Sequence, residues 1–304
     1  MHRSRRQRRR TGGRLLRLSL PPLDLDLVVR SHGWYDLPPF EWQAPNRRLR
    51  FVYLEDGEPI SVEVQRVRAG LVVRAGPAGA SSRASVRRVV RRVLDLDVDL
   101  SEFHALCRRD RSFAWIARRG AGRILRAPTL FEDAAKVLAT TNCTWALTKV
   151  MVKNLIAAFG RGGAFPDAEF VAGLPEARLR TEIRVGYRAP YFSRFAEKVA
   201  SGTLDLSRWE DPARPDEDVE KEIRSLKGFG PYATETLGRL LNRHGRLGLD
   251  SWSRRKVAEL RFGGRRVKDA RVEKVYRAFG RHAGLAFWLD VTREWHGRKE
   301  KLWP

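Results

Sequence analysis

The chain has 304 residues, enough to bury one large hydrophobic core or two to three small ones. Its 60 Lys and Arg residues against 36 Asp and Glu residues give a formal net charge of +24, which attracts polyanions such as nucleic acids. With only two cysteines, Cys107 and Cys143, the chain lacks a disulfide framework and cannot build a zinc or iron–sulfur site that needs four cysteine ligands.

Residues 1–14 form a strongly basic run, which predicts a disordered, solvated arm, with an auxiliary DNA contact as the alternative. The run contains no apolar segment of the kind found in secretory signals, and no stretch of the chain is apolar enough to cross a membrane. Together with the low cysteine content, these observations predict a cytoplasmic protein, associated with the nucleoid if the source is bacterial, that does not bind membranes.

Residues 23–75 are predicted to form an antiparallel sheet. Leucines alternate with acids over residues 23–27, and two further strands over residues 49–54 and 60–67 flank a turn at Gly57. A fourth strand is expected over residues 71–74. The aromatic and proline-rich stretch at residues 33–42 is too irregular for a strand, so it is interpreted as a loop or a cluster packed on the sheet.

From Ser82 onwards the pattern is almost wholly helical. Valines at helical spacing follow that residue, Thr129 begins a capping-box motif, and Gly160 ends another helix. A last helical region is expected over about residues 271–296. The fold class predicted is α+β, with a sheet domain carrying one helix at residues 15–98 and a mostly helical domain at residues 99–304.

Residues 226–232 are predicted to be a hairpin between two helices. Gly228-Phe229-Gly230 is a tight turn that glycines make cheaply because positive φ costs them no Cβ clash. Pro231 suits the first position of the next helix, whose free N–H groups would bind a phosphate. A Gly-rich loop at residues 244–252 follows and contains Asp250. A phosphate-binding turn with a carboxylate beyond it indicates chemistry on nucleic acid.

Four stretches resemble the helix-hairpin-helix DNA glycosylases, and most resemble the branch with 8-oxoguanine glycosylase and bacterial alkylpurine glycosylase. They cover residues 226–250, 138–160, 186–191 (Gly-Tyr-Arg-Ala-Pro-Tyr) and 276–284. The order of a sheet followed by helices is also similar. The resemblance implies an enzyme that turns a damaged base out of double-stranded DNA and removes it.

The resemblance also implies roles for individual residues. Asp250 would be the catalytic carboxylate, although an aspartate before Ser-Trp-Ser is also a good helix N-cap. The remaining residues expected to bind DNA are those of the hairpin turn and those that would fill the gap left by the base, namely Gly228, Phe229, Gly230, Asn142, Tyr187 and Arg188.

Tyr232 determines the predicted subclass. In bifunctional members of the family this position holds a lysine that forms a Schiff base with the sugar, and a phenol cannot form an imine. Lys227 lies on the other side of the turn and does not match. The chain is therefore expected to be monofunctional, with water attacking the sugar.

The sequence departs from the 8-oxoguanine pattern at Cys143, Leu147 and Phe287, where the family has polar groups that contact the opposite cytosine or the base edge. An aromatic pocket favours alkylated purines of the 3-methyladenine type, because ring faces attract cations. The candidate pocket residues, each with core packing as the alternative, are Tyr232, Trp252, Phe287, Trp145 and Trp34.

Two alternatives stay open. One is a glycosylase for oxidised or deaminated bases, such as 8-oxoguanine, hypoxanthine or uracil. The other is a non-catalytic DNA-binding protein that uses the hairpin only to hold phosphate, in which case Asp250 is only an N-cap. We expect a monomer with no cofactor and no metal, apart from a monovalent cation that the hairpin could hold.

Overall fold

A computed structural model describes residues 14–18, 23–68, 70–77 and 80–296. The predicted basic arm at residues 1–14 lies outside the described residues, except for Arg14, the first residue of strand β1. No helix in the described part of the chain is both long and apolar enough to cross a membrane.

Within the described residues, five antiparallel strands form one sheet in the spatial order β1-β5-β4-β3-β2. The strands are β1 Arg14–Leu18, β2 Glu41–Gln43, β3 Arg48–Glu55, β4 Glu58–Val67 and β5 Gly70–Gly76. Phe51 lies opposite Val62 and Tyr53 lies opposite Ile60, and all four side chains are buried. The alternation of apolar residues in β3 and β4 therefore places one face of the sheet against the core.

The predicted strand over residues 23–27 is wrong, because this segment begins helix α1, Leu25–Val29. Asp24 caps the helix through its side chain, which accepts a hydrogen bond from the Asp26 N–H at 3.2 Å. Four of the five helical residues are buried, so apolar residues occur on nearly all sides of this segment and their alternation with acids does not indicate a strand. The sequence also did not predict β1, nor β2, which overlaps the end of the stretch at residues 33–42.

The helices after the sheet begin at Ser82 and Thr129 as predicted, since each side chain accepts a backbone hydrogen bond at a helix start. They are α2 Arg83–Val93, α3 Ser101–Arg109, α4 Ala114–Arg119, α5 Leu130–Thr140, α6 Trp145–Phe159, α7 Ala168–Ala172, α8 Glu176–Arg178, α9 Ala189–Ala200, α10 Ser207–Glu210, α11 Asp216–Ser225, α12 Pro231–Leu240, α13 Ser251–Phe262, α14 Asp269–Tyr276 and α15 Ala283–Val291. The α+β class is confirmed.

Two tryptophans connect the segment after α1 to the helical part of the chain. Trp34 Nε1 donates a hydrogen bond to Asp133 Oδ1 of α5 at 2.8 Å. Trp288 Nε1 of α15 donates one to the Ser31 carbonyl at 2.7 Å. Both tryptophans belong to a continuous hydrophobic core that includes residues of the sheet and of the helices. The division of the chain between residues 98 and 99 stays a prediction.

Candidate functional site

The hairpin between α11 and α12 requires glycine at its first position. Gly228 has φ +92°, and a Cβ there would lie 2.6 Å from Leu138 Cδ1 and 2.9 Å from Tyr191 Cδ2. Gly230 has φ −73°, which any residue adopts, so the predicted need for positive φ is confirmed at Gly228 only. The turn is therefore pressed against α5 and α9.

Gly230 leaves the start of α12 open. Pro231 begins the helix, as predicted, and no side chain of the described residues caps it. A Cβ placed on the exposed Gly230 would meet no atom within 4 Å, whereas Phe229 beside it is buried against Phe195, with 5.2 Å between the ring centroids. The N–H groups of the first helical turn lack partners within the helix, so they form a positive site that suits a phosphate.

Asp250 caps α13 through a reciprocal pair of hydrogen bonds. Its Oδ1 accepts from the Ser253 N–H at 2.7 Å, and its own N–H donates to Ser253 Oγ at 2.9 Å. The N-cap interpretation is therefore confirmed. The side chain is half-buried, and its second oxygen accepts no hydrogen bond from the part of the chain that is described. One carboxylate oxygen is thus fixed by the helix while the other stays available.

Arg239 lies on α12, and three groups that can carry negative charge act on its guanidinium. Burial lowers the Arg239 pKa to about 10, while Tyr232, Asp250 and Glu235 act in the opposite direction through their charges. The guanidinium carbon lies 3.9 Å from the centroid of the Trp288 ring. Arg239 stays protonated at neutral pH, so the hairpin helix contributes a fixed positive charge beside Asp250.

Three tryptophans pack together beyond Arg239. Trp252 lies 6.2 Å from Trp288 and 5.3 Å from Trp295 between ring centroids, and Trp288 meets Trp295 edge-on at 5.7 Å. Trp252 is half-buried and is the second residue after Asp250, in the first turn of α13. Tyr232 is 39% exposed, and its charge, like that of Asp250, acts on Arg239. The predicted pocket roles of Trp252 and Tyr232 stay predictions.

The other three predicted pocket residues are held in different places. Phe287 is fully buried and packs edge-on against Tyr276 at 5.3 Å. Trp34 is buried and donates a hydrogen bond to Asp133. Trp145 donates a hydrogen bond from Nε1 to an Asp36 oxygen at 3.0 Å. These contacts are typical of residues that pack in or against the core, which is the alternative to a pocket role for each of them.

The three residues predicted to fill the base gap lie together. The Asn142 side-chain amide donates to the Tyr187 hydroxyl at 3.3 Å, and Tyr187 is 50% exposed. Arg188 is buried, donates to the Thr141 carbonyl, and stacks under the Tyr187 ring at 4.6 Å. Arg188 therefore supports this surface from below, while Asn142 and Tyr187 face solvent and can reach a duplex.

Sequence reasoning missed Arg239, Trp288 and His32. Arg239 lies two helical turns after Tyr232, so its position on the same helix face was a usable signal. The imidazole of His32 packs against Trp34 with the two rings tilted by 49° and their centroids 4.7 Å apart. Burial, aided by the Arg239 charge, lowers the His32 pKa to about 3. Nothing in the local sequence indicated the approach of Trp288.

No group of three or more His, Cys, Asp or Glu side chains that could hold a metal occurs among the described residues. Whether the hairpin holds a monovalent cation stays a prediction.

No known family model matches this chain, and no curated protein sequence matches it significantly. Comparison with solved structures identifies its class of fold. The sheet followed by helices is a fold that this chain shares with solved structures of DNA glycosylases.

One similar structure is the 3-methyladenine DNA glycosylase from Archaeoglobus fulgidus, with 18% identity and a TM-score of 0.71 over 92% of this chain and 98% of that one. Another is MBOgg1 in complex with a low-affinity DNA ligand, with 18% identity and a TM-score of 0.73 over 93% and 96%. The apo-form of an 8-oxoguanine glycosylase/lyase from Clostridium acetobutylicum has 19% identity and a TM-score of 0.65 over 86% and 93%.

Proposed function

We propose that this protein is a DNA glycosylase of base excision repair that hydrolyses the N-glycosidic bond of a damaged base without a lyase step. The observation that carries the proposal is the Asp250 carboxylate, with one oxygen fixed by α13 and the other free, downstream of an open phosphate-binding hairpin in a glycosylase fold.

The first steps would be binding and extrusion of the base. The N–H groups at Gly230 and the start of α12 would bind a backbone phosphate of the damaged strand. The exposed pair Asn142 and Tyr187 would enter the duplex and occupy the space of the extruded nucleotide. A mismatched or damaged base is extruded most easily, because less stacking and pairing energy is lost.

The chemical step would use the free oxygen of Asp250. As the bond between C1′ and the base nitrogen breaks, its electron pair leaves with the base, and positive charge develops on the sugar. The Asp250 carboxylate would stabilise that charge and orient a water molecule. The water oxygen then bonds to C1′, one of its protons ends on the departed base, and an abasic site is left.

Tyr232 supports the absence of a lyase step. Its phenol cannot form the imine that a lysine forms with the sugar carbon. Lys227, the nearest lysine in the hairpin sequence, is exposed and precedes Gly228, so it does not occupy the position of Tyr232. Hydrolysis by water is then the available route.

Replacing Asp250 by Asn tests the mechanism sharply, because asparagine is as good an N-cap as aspartate and only the negative charge is lost. We expect Asp250→Asn to abolish abasic-site formation while duplex binding is kept. The matched control is Asp269→Asn, which removes an exposed carboxylate from the first turn of α14, where it pairs with Arg254. Unchanged turnover by Asp250→Asn would remove the proposed mechanism.

Borohydride reduction tests the second half of the proposal. An imine between enzyme and sugar is trapped as a covalent adduct, whereas a hydrolytic intermediate is not. We expect the wild-type protein to give abasic sites and no trapped adduct on the same duplex. A trapped adduct would show that a lysine, and not water, attacks the sugar.

A further inference from the structure

One face of α12 carries Tyr232 and Arg239. Tyr232 and Arg239 are seven residues apart in the chain, so they lie on the same side of the helix, two turns from each other. The charges of Tyr232, Glu235 and Asp250 all act on the Arg239 guanidinium. Arg239 therefore places a cation of α12 among the groups that the proposed reaction uses.

The Arg239 guanidinium is held in place by a ring contact and makes no hydrogen bond to the rest of the described chain. It stacks on the Trp288 ring at 3.9 Å, and Trp288 is itself fixed by its bond to the Ser31 carbonyl. None of the Arg239 N–H groups donates a hydrogen bond to another described residue. By contrast, the guanidinium of Arg261 on α13 donates hydrogen bonds to both carboxylate oxygens of Asp290. The N–H donors of Arg239 are therefore available to a bound molecule.

This arrangement bears on the kind of base that the site accepts. The Trp288 face is the type of surface that would attract a cationic base, and a guanidinium already covers it. A base that carries its own positive charge, as N-alkylated purines do, would be repelled by Arg239. A neutral base with acceptor atoms would instead receive hydrogen bonds from the planar fork of donors.

We propose that Arg239 is the specificity-determining residue of the site and selects a neutral, acceptor-bearing base over a cationic alkylated purine. This inference rests on the proposed glycosylase function and names the substrate class of the same pocket. Among neutral lesions, hypoxanthine presents O6 and N7 side by side, the pair of acceptors that arginine contacts in a bidentate manner. Guanine shares that edge but stays stacked and paired, so extrusion discriminates against it.

The same residue fits the chemistry of a neutral leaving group. When the C1′–N9 bond of a neutral purine breaks, the electron pair makes the base an anion until it takes a proton from the attacking water. A guanidinium at the base edge stabilises that anion in the transition state. A cationic alkylated purine leaves as a neutral molecule and gains nothing from it. Arg239 thus favours the neutral substrate in both binding and departure.

The test measures single-turnover abasic-site formation on two sets of duplexes. One set carries a neutral lesion (hypoxanthine, 8-oxoguanine or uracil), and the other carries a cationic one (7-methylguanine or 3-methyladenine). We expect the wild-type protein to act on at least one neutral lesion faster than on both cationic ones. Arg239→Gln should lower the neutral rate on the order of 10- to 100-fold, the range of one bidentate contact, without lowering the cationic rates.

Two further variants sharpen the test. Arg239→Lys keeps the charge but loses the planar fork, so it should lose neutral-base activity while still rejecting cationic bases. Arg246→Gln is the matched control, since it removes an exposed arginine that pairs with Glu220. A thermal melt of each variant reports folding, and retained activity on a cationic base shows that the Arg239→Gln site is intact.

The outcomes separate the inference from the function on which it rests. A wild-type preference for cationic bases, with the ratio unchanged in Arg239→Gln, would overturn the role of Arg239 and leave the glycosylase in place. A parallel loss on both sets of duplexes would show a structural role only. No abasic site on any duplex would remove the proposed function and the inference together.

Discussion

Replacing Gly228 by alanine should destabilise the protein strongly, whereas the same change at Gly230 should not. At Gly228 the backbone has φ +92°, and a left-handed conformation costs an L-residue roughly 1–2 kcal/mol. The added methyl would also meet Leu138 Cδ1 at 2.6 Å, and such overpacking costs typically about 1–3 kcal/mol. The free energy of unfolding should therefore fall by roughly 2–5 kcal/mol, which lowers the melting midpoint by on the order of 5–10 °C.

Gly230 provides the contrast within the same turn. Its φ of −73° suits any residue, no atom lies within 4 Å of the added methyl, and loss of an N-cap glycine costs about 1 kcal/mol or less. The methyl would instead stand where the phosphate is proposed to approach. We expect Gly230→Ala to melt near the wild-type temperature and to bind duplex DNA at least about tenfold more weakly.

Calorimetric melting and fluorescence anisotropy with a labelled duplex measure the two quantities separately. Equal melting temperatures for the two variants would refute the steric argument about the turn. Wild-type DNA affinity in Gly230→Ala would refute the assignment of a phosphate to the N-terminus of α12, even if the protein proves to bind DNA through other residues.

The remaining predictions concern buried polar side chains. Burial lowers the His244 pKa to about 3, whereas in the unfolded chain this side chain takes up a proton near pH 6.5. The free energy of unfolding should therefore fall as the pH drops from about 6.5 towards 3, by up to about 1.4 kcal/mol per pH unit. His244→Leu should reduce the dependence of stability on pH in melts recorded from pH 4 to 7, and His32, whose pKa burial also lowers to about 3, should account for a remaining slope. Arg188→Ala should leave the Thr141 carbonyl without its donor and lower the free energy of unfolding in urea by roughly 1–3 kcal/mol, whereas an unchanged midpoint would contradict the contact.

The sequence predicted the elements whose signals are local. The capping side chains Ser82 and Thr129, the alternation along β3 and β4, and the proline at the start of α12 each state a backbone requirement within a few residues. The hairpin and Asp250 were found in the same way, because turn glycines and N-caps are recognised without knowledge of the rest of the fold.

Contacts between distant segments were not predictable in this way. The Leu-Asp alternation before Val28 indicated a strand, but the segment is surrounded by core on most sides and its two-residue period has no meaning there. Arg239 resembles any arginine on an exposed helix face until Trp288 approaches it from α15. The aromatic residues could be counted from the sequence, yet which of them face Asp250 depended on tertiary packing alone.

The hydrogen bond from Trp288 to the Ser31 carbonyl joins residues 257 positions apart. Contacts with such separations form late, and during synthesis the N-terminal segments fold first. A growing chain that ends before α15 already contains the hairpin and Asp250 but lacks the ring on which Arg239 rests. Under the proposed function, a chain of that length would already hold the phosphate-binding turn, but Arg239 would not yet be positioned to select a base.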